Sequence, residues 1–244
     1  MAIMRILCLS TVICCLLWNV QPCDAQPAER QVEQSLLLEN GELTEMKYLK
    51  YLPPSYDSNE KEWPLLLFLH GAGERGDDLE MVKVHGPPKM IAQGRDFPYV
   101  VISPQCPEDV WWSIETLHAL INEVVETHRI DRSRIYVTGL SMGGYGSWEL
   151  AYTYPDLFAA VAPICGGGDV ENAPLMKGIP TRVFHGAKDE IVPLVRSQEM
   201  VDALEEAGGN VRFTVYPEAG HVGAWVNAYD DPELWEWLSA QQKD

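Results

Sequence analysis

The sequence predicts an α/β fold: a mostly parallel, doubly wound sheet flanked by helices. Three observations point there. Six short, unbroken apolar runs recur along the chain, and runs of that kind suit strands buried on both faces. Segments with apolar residues at helical spacing lie between them, and strands alternating with helices give a doubly wound sheet. The 244 residues also suffice for one sizeable core.

The elements follow in order. Leu43–Leu52 alternates in polarity and is expected to supply antiparallel edge strands. The buried strands are Pro64–His70, Tyr99–Ser103, Ile135–Gly139, Ala159–Ile164, Thr181–Phe184 and Val211–Tyr216. Ile114, Leu117, Ile121, Val124 and Val125 form one helical stripe. Met142–Tyr154 is a second helix, stopped by Pro155 and Asp156. Pro193–Ala207 is a third, ended by Gly208 and Gly209. Asp231 and Pro232 provide a cap and first turn for a last helix through Leu238. No internal repeat or linker interrupts residues 26–244, which read as one catalytic domain.

Residues 1–25 read as a secretory signal peptide. Arg5 precedes an apolar stretch from Ile6 to Val20, and Ala25 suits the last position before cleavage. The stretch falls short of the ~20 residues of a membrane span. A lipid-bearing start at Cys23 is the minor alternative, with Gln21 and Pro22 poorly suited to it. The protein is therefore expected to be exported, to the periplasm or beyond, without a membrane span. Cys8, Cys14, Cys15 and Cys23 leave with the signal. Cys106 and Cys165 remain, and their pairing is open.

The formal net charge is −18. Nucleic acids and anionic membranes need basic patches, so both are excluded as partners. The acidity reads as a solvated surface.

The strongest chemical signal is Gly139-Leu140-Ser141-Met142-Gly143. It follows a predicted strand and opens a predicted helix, the setting of a nucleophile elbow. The turn is so sharp that side chains two residues either side of the serine would collide, hence the two glycines. Gly144 and Gly146 let the helix pack closely. A serine hydroxyl needs a base. In this strand–turn–helix setting the chain order is serine, acid, histidine, which leaves His185 and His221. His185 ends a strand and reads as structural. His221 lies in a loop after the last strand and is the candidate base. His118 and His128 sit in or near a helix, and His85 receives no role.

Asp189, just after strand Thr181–Phe184, is the candidate acid. Such a carboxylate would orient the imidazole and stabilise the imidazolium. Glu190 is its neighbour and rival. Asp169 lies one strand too early, and Asp156 ends the elbow helix. The expected oxyanion donors are the backbone N–H of Met142 and that of Ala72 in the glycine loop after strand Pro64–Leu69, with Gly73 second.

With these residues in place, the chain resembles the α/β-hydrolase superfamily. More narrowly it resembles the lidless esterases related to dienelactone hydrolase, feruloyl esterase and the esterase-like "predicted peptidase" group. Its landmarks are Leu67–Asp78, Ile102–Pro107, Gly139–Asp169, His185–Pro193 and Gly220-His221, so the likeness runs from about residue 45 to the C-terminus. The resemblance implies Ser141 as nucleophile, Asp189 as acid and His221 as base, with no metal or organic cofactor.

Residues 165–180, between two strands, leave no room for a substantial cap. An open site suits short acyl groups, or esters on a bulky polymer such as acetylated or feruloylated polysaccharide. Trp111 and Trp112 are possible substrate-binding residues that could stack on sugar rings. Alternatively they pack beneath the following helix. The expected function is serine carboxylic ester hydrolysis, on a small-molecule or polysaccharide ester. A prolyl-oligopeptidase-like serine peptidase is the rival, disfavoured because no gating domain is present. A non-catalytic binding module is the second rival, disfavoured because serine, acid and histidine are all retained.

Overall fold

The computed structural model describes residues 30–39 and 43–243. The signal-peptide reading of residues 1–25 lies outside the described residues. Eight strands form one sheet: β1 (Val32–Glu39), β2 (Leu43–Tyr51), β3 (Trp63–Leu69), β4 (Val100–Pro104), β5 (Ile130–Leu140), β6 (Ala160–Ile164), β7 (Thr181–Gly186) and β8 (Val211–Tyr216). Their spatial order is β1-β2-β4-β3-β5-β6-β7-β8. β1 and β2 pair antiparallel, β2 joins β4 antiparallel, and every other neighbouring pair is parallel. The expected antiparallel edge is thus a hairpin, whose first strand precedes the segment chosen from sequence.

β3 explains why its sequence does not alternate. Leu65, Leu67 and Leu69 point into one core, with helices α2 (Ile114–Thr127), α3 (Met142–Thr153) and α4 (Val195–Glu206). Leu66 and Phe68 point into the other, with α1 (Gly86–Ala92), α5 (His221–Asp230) and α6 (Pro232–Ser239). Successive side chains on a strand face opposite ways, so a strand covered on both sides must be apolar throughout.

Two helices differ from expectation. α1 opens with Gly86-Pro87-Pro88 and is short, with no long stripe to betray it. It sits close because Gly86 (φ +58°) lacks a side chain; a Cβ there would stand 2.5 Å from the Phe68 ring. α5 begins at His221 itself, which therefore opens a helix and does not lie in a loop. β5 also starts earlier than expected, at Ile130, with a register irregularity against Trp63 and Leu65 of β3. Between β6 and β7 the chain holds only a 3-10 segment, Val170–Met176, and among the described residues no cap domain covers the sheet's carboxyl edge. Cys106 and Cys165 are both buried and free. No helix of the described residues is long and apolar enough to cross a membrane.

Candidate active site

The carboxyl ends of parallel strands are where an open α/β sheet binds ligands. Here that edge gathers Ser141 after β5, Asp189 after β7, His221 after β8 and the Gly71–Glu74 turn after β3.

Ser141 has φ 54° and ψ −116°, a left-handed conformation that side-chain-bearing residues rarely adopt. Its amide is held by Ile164 O at 3.0 Å. The flanking glycines make the turn possible. A Cβ on Gly139 would lie 2.3 Å from Gly143 O, and one on Gly143 would lie 2.0 Å from Leu69 O. A Cβ on Gly144 would lie 2.4 Å from Ile164 O. Backbone surrounds each position, so nothing can yield.

Three side chains form one hydrogen-bonded line. His221 Nδ1 lies 2.6 Å from Asp189 Oδ2, and His221 Nε2 lies 2.9 Å from Ser141 Oγ. An ionised carboxylate only accepts, so Nδ1 carries the proton and Nε2 is left to accept from the serine hydroxyl. The Asp189 side chain is fully buried, while that of His221 is 13% exposed. Asp189 is further fixed through Oδ1, which accepts the N–H of Ile191 and of Val192, each at 2.9 Å.

His185 stands on the far side of Asp189. It is fully buried, and its Nε2 lies 3.2 Å from Asp189 Oδ2 and 2.9 Å from Val192 O. Both neighbours accept, so Nε2 bears the proton. Nδ1 faces Ser197 Oγ at 2.7 Å. Burial pushes the imidazole pKa below its ordinary value, which keeps the ring neutral. The residue that reads as structural from sequence thus also touches the acid.

The glycine turn lies beside the serine, since a Cβ on Gly71 would be 3.6 Å from Ser141 Cβ. Glu74 Oε2 accepts the Gly71 N–H at 2.9 Å and holds the turn in shape. Ala72 opens the 3-10 turn Ala72–Glu74 and Met142 opens α3, so both N–H groups occupy first positions, which have no partner within their own helix. His70 anchors the turn from below. Its Nε2 accepts the Cys106 N–H at 2.9 Å, so Nδ1 donates to Gly71 O at 2.6 Å. Burial drives its pKa down to about 4.

The two tryptophans part ways. Trp111 is 64% exposed and meets Tyr145, on the first turns of α3, edge-on at 5.9 Å. Trp112 is only 6% exposed. It packs against His70 and under Gly146, whose missing Cβ would lie 2.9 Å from the indole. Trp112 is thus a buried support for the loop and α3 and offers no face for stacking.

His118 stacks on Tyr154, and His128 lies 3.1 Å from Lys50 Nζ. Both lie away from the line. Three contacts went unseen in the sequence. Trp225 meets the His221 ring edge-on at 5.0 Å, His85 meets Trp225 at 5.2 Å, and His85 Nε2 lies 3.7 Å from Glu74 Oε1. Trp225 follows His221 by four residues, so a helix starting at His221 would have revealed it. Among the described residues, one group of three potential metal ligands occurs: Cys165, Asp189 and His221. Two of its members are already hydrogen-bonded to each other.

A family model described as phospholipase/carboxylesterase matches residues 88–226, more than half the chain. The chain belongs to the phospholipase/carboxylesterase family. This family places it among the α/β-hydrolases. The solved structure of a thermostable esterase superposes with a TM-score of 0.74 at 34% identity, covering 86% of this chain and 63% of that one. A poly(3-hydroxyoctanoate) depolymerase of Pseudomonas fluorescens is 25% identical over 246 residues, 84% of this chain and 87% of its own. A poly(3-hydroxyalkanoate) depolymerase C of Paucimonas lemoignei is 46% identical over 52 residues, which is 21% of this chain and 13% of that relative. The chain therefore spans only part of the length of two of these proteins.

Proposed function

We propose that this family member is a serine carboxylic ester hydrolase in which Ser141 is the nucleophile, His221 the base and Asp189 the orienting acid. The observation that carries this reading is the unbroken line from Asp189 through His221 to a strained Ser141. Ser141 Oγ attacks the ester carbonyl as His221 Nε2 takes its proton. The resulting oxyanion is held by the N–H of Met142 and Ala72. His221 then gives the proton to the departing alkoxide, leaving an acyl-serine. Water, deprotonated by the same imidazole, releases the acid and restores Ser141.

The substrate reading rests on openness. Without a cap between β6 and β7, none of the described residues encloses a long acyl tail, which suits short acyl groups or esters carried on a polymer. The exposed Trp111–Tyr145 pair near Ser141 offers an apolar platform for such a polymer, and two relatives are named for depolymerising polyesters. Within this reading, residues 26–244 act as one catalytic unit behind an export signal at residues 1–25, and no cofactor is needed.

Hydrolysis of p-nitrophenyl esters from acetate to palmitate, with Ser141→Ala as control, tests the proposal. Turnover of short chains that vanishes in the variant is the expected result. Absence of turnover by folded wild-type protein, or turnover that survives in Ser141→Ala, would overturn it.

A further inference from the structure

The Asp189 side chain is fully buried, and a buried carboxylate is tolerated only where hydrogen bonds fill its acceptor sites. Ile191 and Val192 fill those of Oδ1, and His221 Nδ1 takes one at Oδ2. His185 Nε2 stands beside the other, 3.2 Å from Oδ2. Its shorter bond, 2.9 Å, goes to the carbonyl of Val192, the residue whose N–H holds Oδ1. His185 therefore reaches the acid twice, directly at Oδ2 and through Val192 at Oδ1. The ring is itself pinned from behind. Nδ1 lies 2.7 Å from Ser197 Oγ, which also lies 2.7 Å from Gly166 O. Gly166 packs on the first turn of α3, where a Cβ would stand 2.5 Å from the Gly144 carbonyl carbon. His185 and Ser197 are both fully buried. A chain of buried contacts thus runs from the acid back to the helix that follows Ser141.

We infer that His185 is a positioning residue for ester hydrolysis, which fixes the Asp189 carboxylate so that Oδ2 faces His221. The inference rests on the catalytic reading above. The hydrogen bonds of His185 go to Val192 and Ser197 and not to Ser141 or His221, so it acts through the acid. An uncharged N–H suits that task. A second imidazolium beside Asp189 would compete for the carboxylate's charge, whereas an uncharged donor orients Oδ2 and leaves that charge to the imidazolium formed at His221. An apolar side chain of similar volume would leave Oδ2 short of a donor and Val192 O without its partner. The two amide residues separate these duties. Glutamine is long enough to place an N–H where Nε2 stands, and asparagine reaches only the place of Nδ1.

Steady-state hydrolysis of p-nitrophenyl acetate by His185→Asn, His185→Gln and their Asp189→Asn combinations tests this, with thermal unfolding run on each protein. Misplacing a catalytic group by about 1 Å costs up to ~10²-fold, so kcat should fall roughly 10- to 100-fold in His185→Asn, with KM little changed. His185→Gln should recover most of that loss. In an Asp189→Asn background His185→Asn should cost nothing further, because the group it positions is already disabled. A role confined to packing would lower Tm, leave kcat per folded molecule unchanged and treat both amides alike. The assignment is overturned if folded His185→Asn keeps the wild-type kcat, if His185→Gln is as slow as His185→Asn, or if the loss persists undiminished beside Asp189→Asn. Should His185→Asn not fold, Ser197→Ala frees the same ring by a smaller excision, and an unchanged kcat in that variant overturns the assignment equally. Failure of the catalytic reading looks different, because Asp189→Asn alone would then leave kcat as it was.

Discussion

Replacing Asp189 by asparagine keeps the shape of the side chain and changes one group from acceptor to donor. The structure fixes which one. Oδ1 accepts two backbone N–H groups, from Ile191 and Val192, at 2.9 Å each. An amide NH2 placed there would face two donors and lose both hydrogen bonds, at ~0.5–1.5 kcal/mol apiece. The amide oxygen therefore takes the Oδ1 position and the NH2 takes that of Oδ2, 2.6 Å from His221 Nδ1. The NH2 donates to Nδ1, so the imidazole proton moves to Nε2 and points at Ser141. The base is then in the wrong tautomer, and its imidazolium has lost its counter-charge. The same change in a serine-protease triad lowers kcat roughly 10⁴-fold, about 5.4 kcal/mol at 1.36 kcal/mol per decade. We expect a loss of that order here. His185 keeps its bond to Val192 O, so the fold should stay intact. Initial rates on p-nitrophenyl acetate, with thermal unfolding as a check on folding, measure it. A folded Asp189→Asn protein within about tenfold of wild type, a loss of only ~1.4 kcal/mol in the barrier, would refute the assignment. Glu190→Gln serves as the matched control, and its rate should not change.

Three further outcomes follow from the geometry. Ser141→Gly removes a side chain from a backbone conformation that costs ~1–3 kcal/mol, against ~0.4–1 kcal/mol for the extra freedom of glycine in the unfolded chain. The variant should be inactive and more stable, with Tm higher by about 2–4 °C per kcal/mol gained; a lower Tm would contradict stored strain. Trp112→Ala should destabilise by ~3–5 kcal/mol as a buried aromatic, while Trp111→Ala should barely move Tm and should slow hydrolysis of polymer-borne esters, so equal unfolding curves for the two variants would reverse their roles. His70, at a pKa of about 4 when folded against an ordinary 6.5, takes up its proton more readily in the unfolded chain. Its contribution is therefore complete above pH 6.5 and fades as pH falls to about 4, by up to ~3 kcal/mol. Glu74, whose pKa burial raises, acts in the opposite sense. Urea unfolding across that window should show a shallower decline for His70→Gln than for wild type, and parallel curves would exclude His70 as a source.

The sequence made the sheet legible because burial on both faces leaves no alternation to confuse. Leu65 to Leu69 reads as a strand whichever face is considered. The elbow was legible because backbone crowding at Gly139 and Gly143 allows one residue type. What escaped was local geometry set by distant partners. α1 depends on Gly86 meeting Phe68, and no short-range pattern announces that contact. The two adjacent tryptophans look alike in sequence. Only the loop conformation, with Asp109 at φ 59° just before them, sends one outward and the other under Gly146.

Placing His221 at the first position of α5 matters beyond bookkeeping of elements. A loop would leave the ring to sample rotamers, whereas a helix start fixes its backbone, and the side chain four residues on is then forced onto the same face. That side chain is Trp225, whose ring meets the imidazole edge-on at 5.0 Å and is itself buried. The imidazole and its brace therefore belong to one turn of α5. A substitution at Trp225 should therefore lower kcat on p-nitrophenyl acetate, and unchanged kinetics in a folded Trp225→Leu protein would show that the imidazole needs no such brace.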